Sequence, residues 1–313
     1  MKEGTKEVVF ALLMGIVAPW LILGIAAANT PADSLLQTEH SKHERTVYTL
    51  TVLKDEETVE MDLEEYLVGV LLCEIPESFD MEAKKAQAVV ARTYALRTAT
   101  VKDKHPNQGV CTSPDCCQGY TDPEEYGGSK EGIEQARQAV ASTEALVLTY
   151  EAELIDATYF SCSGGMTEDA LAVWGAEIPY LQAVTSPGEE QANYYTDTVS
   201  FTAEQFCSAL GVQLSGSSYY WLGDVTYTDG GGVDTMVIGG MEYKGTQLRS
   251  LLGLRSTAFR MYATGEQIVV TTRGFGHRVG MSQYGAEAMA VSGSKFDEIL
   301  KHYYQGTELT HLE

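Results

Sequence analysis

EEYLVGVLLCEIPESFDMEAKKAQAVVARTYALR, residues 64–97, carries the pattern of two consecutive helices. Just before it, Asp62 followed by Glu65 is a helix start signal. Leu63, Tyr66, Leu67, Val70 and Leu71 recur at the spacing of one buried helical stripe running to Cys73. Pro76 stops that helix. Asp80 opens a second one, to about Thr98, on which Ala83, Ala86, Gln87, Val90, Ala91 and Tyr94 share a face. Small residues on that face allow close approach, so the two helices are expected to pack together.

Outward from this pair the pattern becomes mixed. Thr46–Leu53 alternates polar and apolar residues and predicts a strand. Residues 102–120 read as a loop, and Glu131–Ala141 as a third helix. Ala145–Tyr150 and Leu154–Phe160 read as a hairpin turning at Glu151–Glu153. SCSGG, residues 161–165, is a tight loop just past it. Residues 191–263 hold a helix at Ala203–Leu210 and several short strands, and are expected to form a smaller inserted subdomain. Gln267–Thr272 is a strand leading into the glycine-rich RGFGHRVGMSQYGA, residues 273–286, and two short helices close the chain near Ser282–Val291 and Lys295–Tyr304. The expected class is α+β: mixed helices and short antiparallel strands in one large domain, residues 46–313, with the smaller subdomain inserted.

The N-terminus bears on the compartment. Val8–Ala28 carries no charge and is long enough, at about 1.5 Å per residue, to cross a hydrocarbon core of about 30 Å. Lys2 and Lys6 precede it, which places residues 1–7 in the cytoplasm and the large domain outside. Ala26-Ala27-Ala28 before Asn29 equally fits a signal-peptide cleavage site; either reading exports the domain. Residues 29–45 are polar, contain Pro31 and read as a linker. A formal net charge of −23 excludes nucleic acid as a partner, because phosphates would be repelled and no basic stripe offsets the repulsion.

Few residues are placed for chemistry. Glu74 ends an apolar helix between Cys73 and Ile75-Pro76 with no cation nearby in sequence; a carboxyl held there loses hydration, which raises its pKa and suits a general acid. A solvated helix-end glutamate is the alternative. Arg92, on the second helix, either lies near Glu74, orienting it or holding a substrate oxygen, or pairs at the surface with Glu77 or Glu82. His105, Cys111, Cys116 and Cys117 lie in one short loop, and one imidazole with three thiolates suits a closed, structural zinc site; a disulfide plus one free thiol is the other reading. His277 sits among Gly274, Gly276 and Gly280, where backbone can approach a ligand closely. Ser282 and Gln283 stand at a helix start whose free amides suit sugar oxygens. Tyr159, Ser161, Ser163, Tyr180 and Tyr284 are hydroxyls at strand ends or turns, fit for a sugar groove or for any half-buried sheet edge.

Taken together, residues 64–97, YFSCSGGMTEDALAVWG (159–175), PYLQAV (179–184), GFGHRVGMSQYGAEAMAVSG (274–293) and EILKHYYQGTEL (298–309) resemble the stage II sporulation protein D family and its amidase-enhancer relatives. The resemblance covers about residues 46–309 outside the less distinct middle. It implies a lytic transglycosylase acting on peptidoglycan strands stripped of stem peptides, with Glu74 as catalytic acid and Arg92 matching the family arginine. The SCSGG loop, with Ser161, Ser163 and Gly164, and the GHRVG loop with His277 would then grip neighbouring sugars. Some clostridial-type members bind zinc through a loop similar to His105, Cys111 and Cys117; where such a loop has histidine before the last cysteine, this chain has Cys116. The implied partners are glycan strands, a cell-wall amidase and membrane proteins of an engulfment complex, with no organic cofactor. The rival readings are a non-catalytic scaffold that assists an amidase, as its amidase-enhancer relatives imply, and a zinc amidase, which would need an open metal position.

Overall fold

Asp62 caps the first helix as its position predicts: its carboxylate accepts the Glu65 N–H at 3.1 Å. That helix, α1 (Leu63–Glu74), ends where Ile75 turns extended ahead of Pro76. The computed structural model describes residues 47–101, 104–105 and 109–312. The expected cytoplasmic tail at 1–7, the membrane anchor at 8–28 and the linker at 29–45 all lie outside these residues. Among the described residues no helix is long and apolar enough to cross a membrane.

Before α1, β1 (Thr49–Lys54) pairs antiparallel with β2 (Glu57–Asp62), a strand the sequence reading missed. The turn between them uses Asp55 and Glu56, both left-handed at φ 50° and 67°. Two-residue hairpin turns require that conformation and usually recruit Asn or Gly, so no turn signal was visible. Helix α1 is buried on nearly all sides rather than along one stripe. It is enclosed by α2 (Met81–Val101) and, after β3 (Val110–Cys111), by α3 (Lys130–Ala141). On α2, Ala83, Ala86, Ala88, Ala91 and Ala95 are fully or almost fully buried; their small volume lets neighbouring helices close in.

The next hairpin is shorter than expected. β4 (Leu146–Tyr150) turns through Glu151 and Ala152, at φ 51° and 67°, into β5 (Glu153–Leu154). The chain then leaves, and β6 (Tyr159–Phe160) forms a separate pairing, followed by α4 (Ala170–Trp174). A second hydrophobic cluster, with Phe206, Trp221, Leu248 and Val270 among its members, gathers β7 (Thr196–Thr202), α5 (Ala203–Leu210), β8 (Leu222–Tyr227), β9 (Val233–Ile238), β10 (Met241–Lys244), α6 (Gly245–Leu251), β11 (Phe259–Ala263) and β12 (Gln267–Arg273). These strands form two three-stranded antiparallel sheets, ordered β10-β9-β8 and β11-β12-β7.

The chain returns to the first core through β13 (Met281–Ser282), α7 (Gln283–Val291), α8 (Phe296–Tyr303) and β14 (Glu308–His311), the last pairing with β4. The expectation of antiparallel strands needs correction at two places, since β13 runs parallel to β6 and β3 parallel to β1. The β6–β13 pairing lays the SCSGG loop beside the glycine-rich segment. Gly280 is needed there: it adopts φ +84°, and a Cβ would lie 2.1 Å from the Thr158 carbonyl oxygen.

Candidate active site

Glu74 is the last residue of α1, and the approach of the cysteine loop makes it a site. Gly119, two residues beyond Cys117, donates its N–H to Glu74 Oε1 at 2.6 Å. A Cβ on Gly119 would stand 2.7 Å from Cys73 Sγ and 3.1 Å from that same oxygen, so the approach depends on glycine. Burial raises the Glu74 pKa above the usual carboxylate range, while the Gly119 bond, Tyr159 and Gln283 act the other way. The Tyr159 hydroxyl already accepts Gln118 Nε2 at 3.2 Å, which leaves its own proton for Glu74. Gln118 is fully buried and also accepts the Tyr66 hydroxyl at 3.3 Å. Burial, then the Glu74 charge, push the Tyr159 phenol well above its ordinary pKa, so it stays a donor.

A cleft of about 560 Å³ opens beside Glu74. Tyr159, Ser161, His277 and Gln283 line it, as expected, and so do Cys116 and Cys117 of the loop. Three of the further lining residues bear on the chemistry and were missed. Trp174 is 44% exposed and tilts over the His277 ring at 5.4 Å, making an aromatic wall of the kind that stacks on a sugar face. Asp115, exposed on the cysteine loop, is a second carboxylate. Arg249, on α6, is half-buried, forms no ion pair among the described residues, and its Nε has no hydrogen-bond partner. Nothing in GTQLRSL marks that arginine; only the packing of the second sheet cluster brings it here.

Several expected site residues have other work. Arg92 is completely buried away from the cleft, where it grips Glu64 with two bonds, 2.8 Å from Nε and 2.5 Å from Nη2, and donates to the Leu146 carbonyl at 3.0 Å. It clamps α1, α2 and β4 together and pairs with neither Glu77 nor Glu82. Ser163, Gly164 and Ser282 all serve Glu189, a buried carboxylate absent from the sequence reading. Ser163 Oγ and the Gly164 N–H each donate to it at 2.8 Å, Ser282 Oγ at 2.5 Å and Ser186 Oγ at 2.7 Å. Tyr180 packs on Tyr150 and accepts the Asp156 N–H, and Tyr284 packs edge-on against Phe79; neither lines the cleft.

His277 lines the cleft with its ring alone. Nδ1 accepts the Val279 N–H at 3.1 Å, so Nε2 carries the proton and donates to the Tyr159 carbonyl at 3.0 Å. Burial lowers its pKa to about 4. It is a neutral wall, not an acid or base.

Donor atoms of His105, Cys111, Cys116 and Cys117 all lie within 4.8 Å of one another. His105 Nε2 is 3.2 Å from Cys116 Sγ, and the Cys116 and Cys117 sulfurs are 3.9 Å apart. Ligands about 2.3 Å from a tetrahedral zinc stand about 3.7 Å from one another, so both spacing and donor set fit that ion. All six cysteines are free thiols, which sets aside the disulfide reading for this geometry.

Comparisons with known proteins identify similar chains. A family model described as Stage II sporulation protein matches residues 54–150, which span both central helices and the cysteine loop. Stage II sporulation protein D of Bacillus subtilis (strain 168) is 43% identical over 259 residues, covering 80% of this chain and 75% of that protein. The protein of the same name from Bacillus amyloliquefaciens is 40% identical over the same shares. A protein named amidase enhancer, also from Bacillus subtilis (strain 168), is 29% identical over 78% of this chain and 40% of its own length.

Proposed function

The chain belongs to the stage II sporulation protein D family, and on that premise we propose that it is a lytic transglycosylase that cuts peptidoglycan glycan strands at Glu74 during sporulation. The observation that carries this reading is a half-buried carboxyl with a raised pKa, held by Gly119 at the floor of an aromatic-walled cleft. Burial favours the protonated form that the acid step requires. Glu74 gives its proton to the glycosidic oxygen as the bond from the muramyl anomeric carbon breaks and that carbon takes on oxocarbenium character. The resulting carboxylate is stabilised by the Gly119 N–H and Tyr159, and it accepts the proton of the same sugar's 6-hydroxyl as that oxygen bonds to the anomeric carbon. One acid performs both transfers, and the tethered hydroxyl replaces a bimolecular water attack, an advantage of about 7 kcal/mol or more.

The surroundings support a sugar occupant. Trp174 and the neutral His277 ring form a stacking wall, and Gln283, which lines the cleft beside Glu74, offers its amide to a sugar oxygen. Arg249 would take the lactyl carboxylate that a muramyl residue exposes once its stem peptide is gone. Zinc in the four-donor loop would be structural: it would hold residues 111–117, and through them Gly119, against α1. If all four donors ligate, no position would be left open for a zinc amidase. Export of the domain on an N-terminal anchor and cooperation with a cell-wall amidase, in an engulfment complex at the membrane, complete the proposal; the amidase-enhancer relative motivates that partner.

One observation favours a second reading. Asp115 also lines the cleft, and an inverting hydrolase would use it as the base for water, given carboxylates about 6.5–9.5 Å apart. Digestion of stripped glycan in H2-18O separates the two. Transglycosylation yields anhydro ends without label, and hydrolysis yields labelled reducing ends. An assay with purified protein that returns uncut strands would leave the scaffold reading.

A further inference from the structure

The outer face of the β11-β12-β7 sheet forms a second groove, of about 490 Å³, that the proposed chemistry does not use. Cross-strand register places its residues on one face: Arg260 stands opposite Thr271, Thr271 opposite Thr198, and Arg273 opposite Thr196. Tyr227, 54% exposed, also lines the groove. Arg260 and Arg273 are exposed, and neither forms an ion pair among the described residues. In a chain of net charge −23, two neighbouring guanidinium groups left without carboxylates stand out from the prevailing field.

The groove adjoins the cleft along the chain. Arg273 lies two residues from Phe275, which lines the cleft, a separation of at most about 7 Å. Beside Phe275 the surface is aromatic: Tyr194 packs edge-on to Phe275 at 5.5 Å, and the Arg255 guanidinium, itself paired with Asp197 at 3.3 Å, lies 5.0 Å from the Tyr194 ring and 5.7 Å from the Phe275 ring. A polymer leaving the cleft past Phe275 would meet a hydroxyl-lined floor with two free guanidinium groups. Guanidinium is the side chain suited to paired hydrogen bonds with a planar carboxylate.

We propose that this groove is a distal subsite for peptide-stripped glycan, in which Arg260 and Arg273 hold the lactyl carboxylate of a muramyl residue further along the strand occupying the catalytic cleft. The inference rests on the glycan reading of that cleft. It adds that grip on the substrate grows with strand length, and that free lactyl carboxylates are the groups read at a distance from the reacting bond.

Binding is measured on Glu74→Gln protein, so that cleavage plays no part, with a short stripped oligosaccharide that fills the cleft alone and a long stripped strand. The same two glycans with their lactyl carboxylates converted to methylamides are the controls. Amidation should cost the long strand at least tenfold more affinity than it costs the short oligosaccharide, whose carboxylate meets Arg249 alone, and Arg260→Gln/Arg273→Gln should remove most of that excess while binding the short oligosaccharide as before. A long strand that loses no more on amidation than the short oligosaccharide does overturns the proposal without any variant. So does a double variant that keeps the excess, or one that loses affinity equally for the short oligosaccharide. If neither glycan binds at all, the glycan reading of the cleft itself falls, an outcome distinct from these.

Discussion

Replacing Gly119 by alanine probes the contact that makes Glu74 a site. The backbone at Gly119 is not left-handed, so alanine fits the main chain. Its methyl would lie 3.1 Å from Glu74 Oε1 and 2.7 Å from Cys73 Sγ. Cys73 is exposed and can rotate away; the carboxylate has to yield by a few tenths of an ångström, which stretches the 2.6 Å bond from the Gly119 N–H. A misplacement of about 1 Å costs about a hundredfold in rate, and a weakened bond to a charged group costs up to about 1.5–3 kcal/mol. Gly119→Ala should therefore lower kcat about 10- to 100-fold with little change in melting temperature. The sign of the pH effect is also set. The Gly119 N–H favours the ionised carboxylate, so weakening it raises the Glu74 pKa further, and the limb on which activity falls as the acid deprotonates moves to higher pH. Initial rates of anhydro-end release across pH 5–9 test both effects. A kcat within twofold of the parent, with that limb unmoved, would show that the Gly119 contact does not tune Glu74.

Arg92→Met leaves Glu64 as an uncompensated buried charge and should cost about 3–5 kcal/mol of unfolding free energy; denaturant melts check it, and a variant inactive yet fully stable would return Arg92 to the chemistry. Cys111→Ser should lower both the thermal midpoint and the zinc content of purified protein; a midpoint unchanged by this substitution and by chelation would remove the metal from the fold. His277 has its folded pKa depressed to about 4, so the unfolded state binds the extra proton first on acidification. Its contribution to stability is complete above about pH 6.5 and is lost progressively down to about pH 4. NMR should find a neutral, Nε2-protonated ring throughout pH 5–8, and a ring titrating near 6.5 would contradict the assignment.

Local signals were legible where one segment of chain carried the whole argument. The Asp62 cap, the stop at Pro76, the small-residue face of α2 and the crowding of His105, Cys111, Cys116 and Cys117 all act within a few residues. The Asp55-Glu56 turn was hidden because both residues adopt left-handed conformations without glycine or asparagine; the Glu151-Ala152 turn, built the same way, was legible only through the strand-like runs on either side of it. Partners far apart in sequence were equally invisible. Arg92 meets Glu64 across the helix packing, and Ser163, Gly164 and Ser282 are drawn together by Glu189, which no local pattern distinguishes. Trp174 and Arg249 reach the cleft only because tertiary packing carries α4 and α6 there. Glu74 was found from its apolar setting, whereas Gly119, which completes it, needed the folded loop.

The most direct test compares purified Glu74→Gln with the parent protein on stripped glycan, with products read by mass spectrometry. The parent should release 1,6-anhydro-muramyl ends, and a variant that melts at the same temperature should release none. Undiminished release of those ends by Glu74→Gln would contradict Glu74 as the acid.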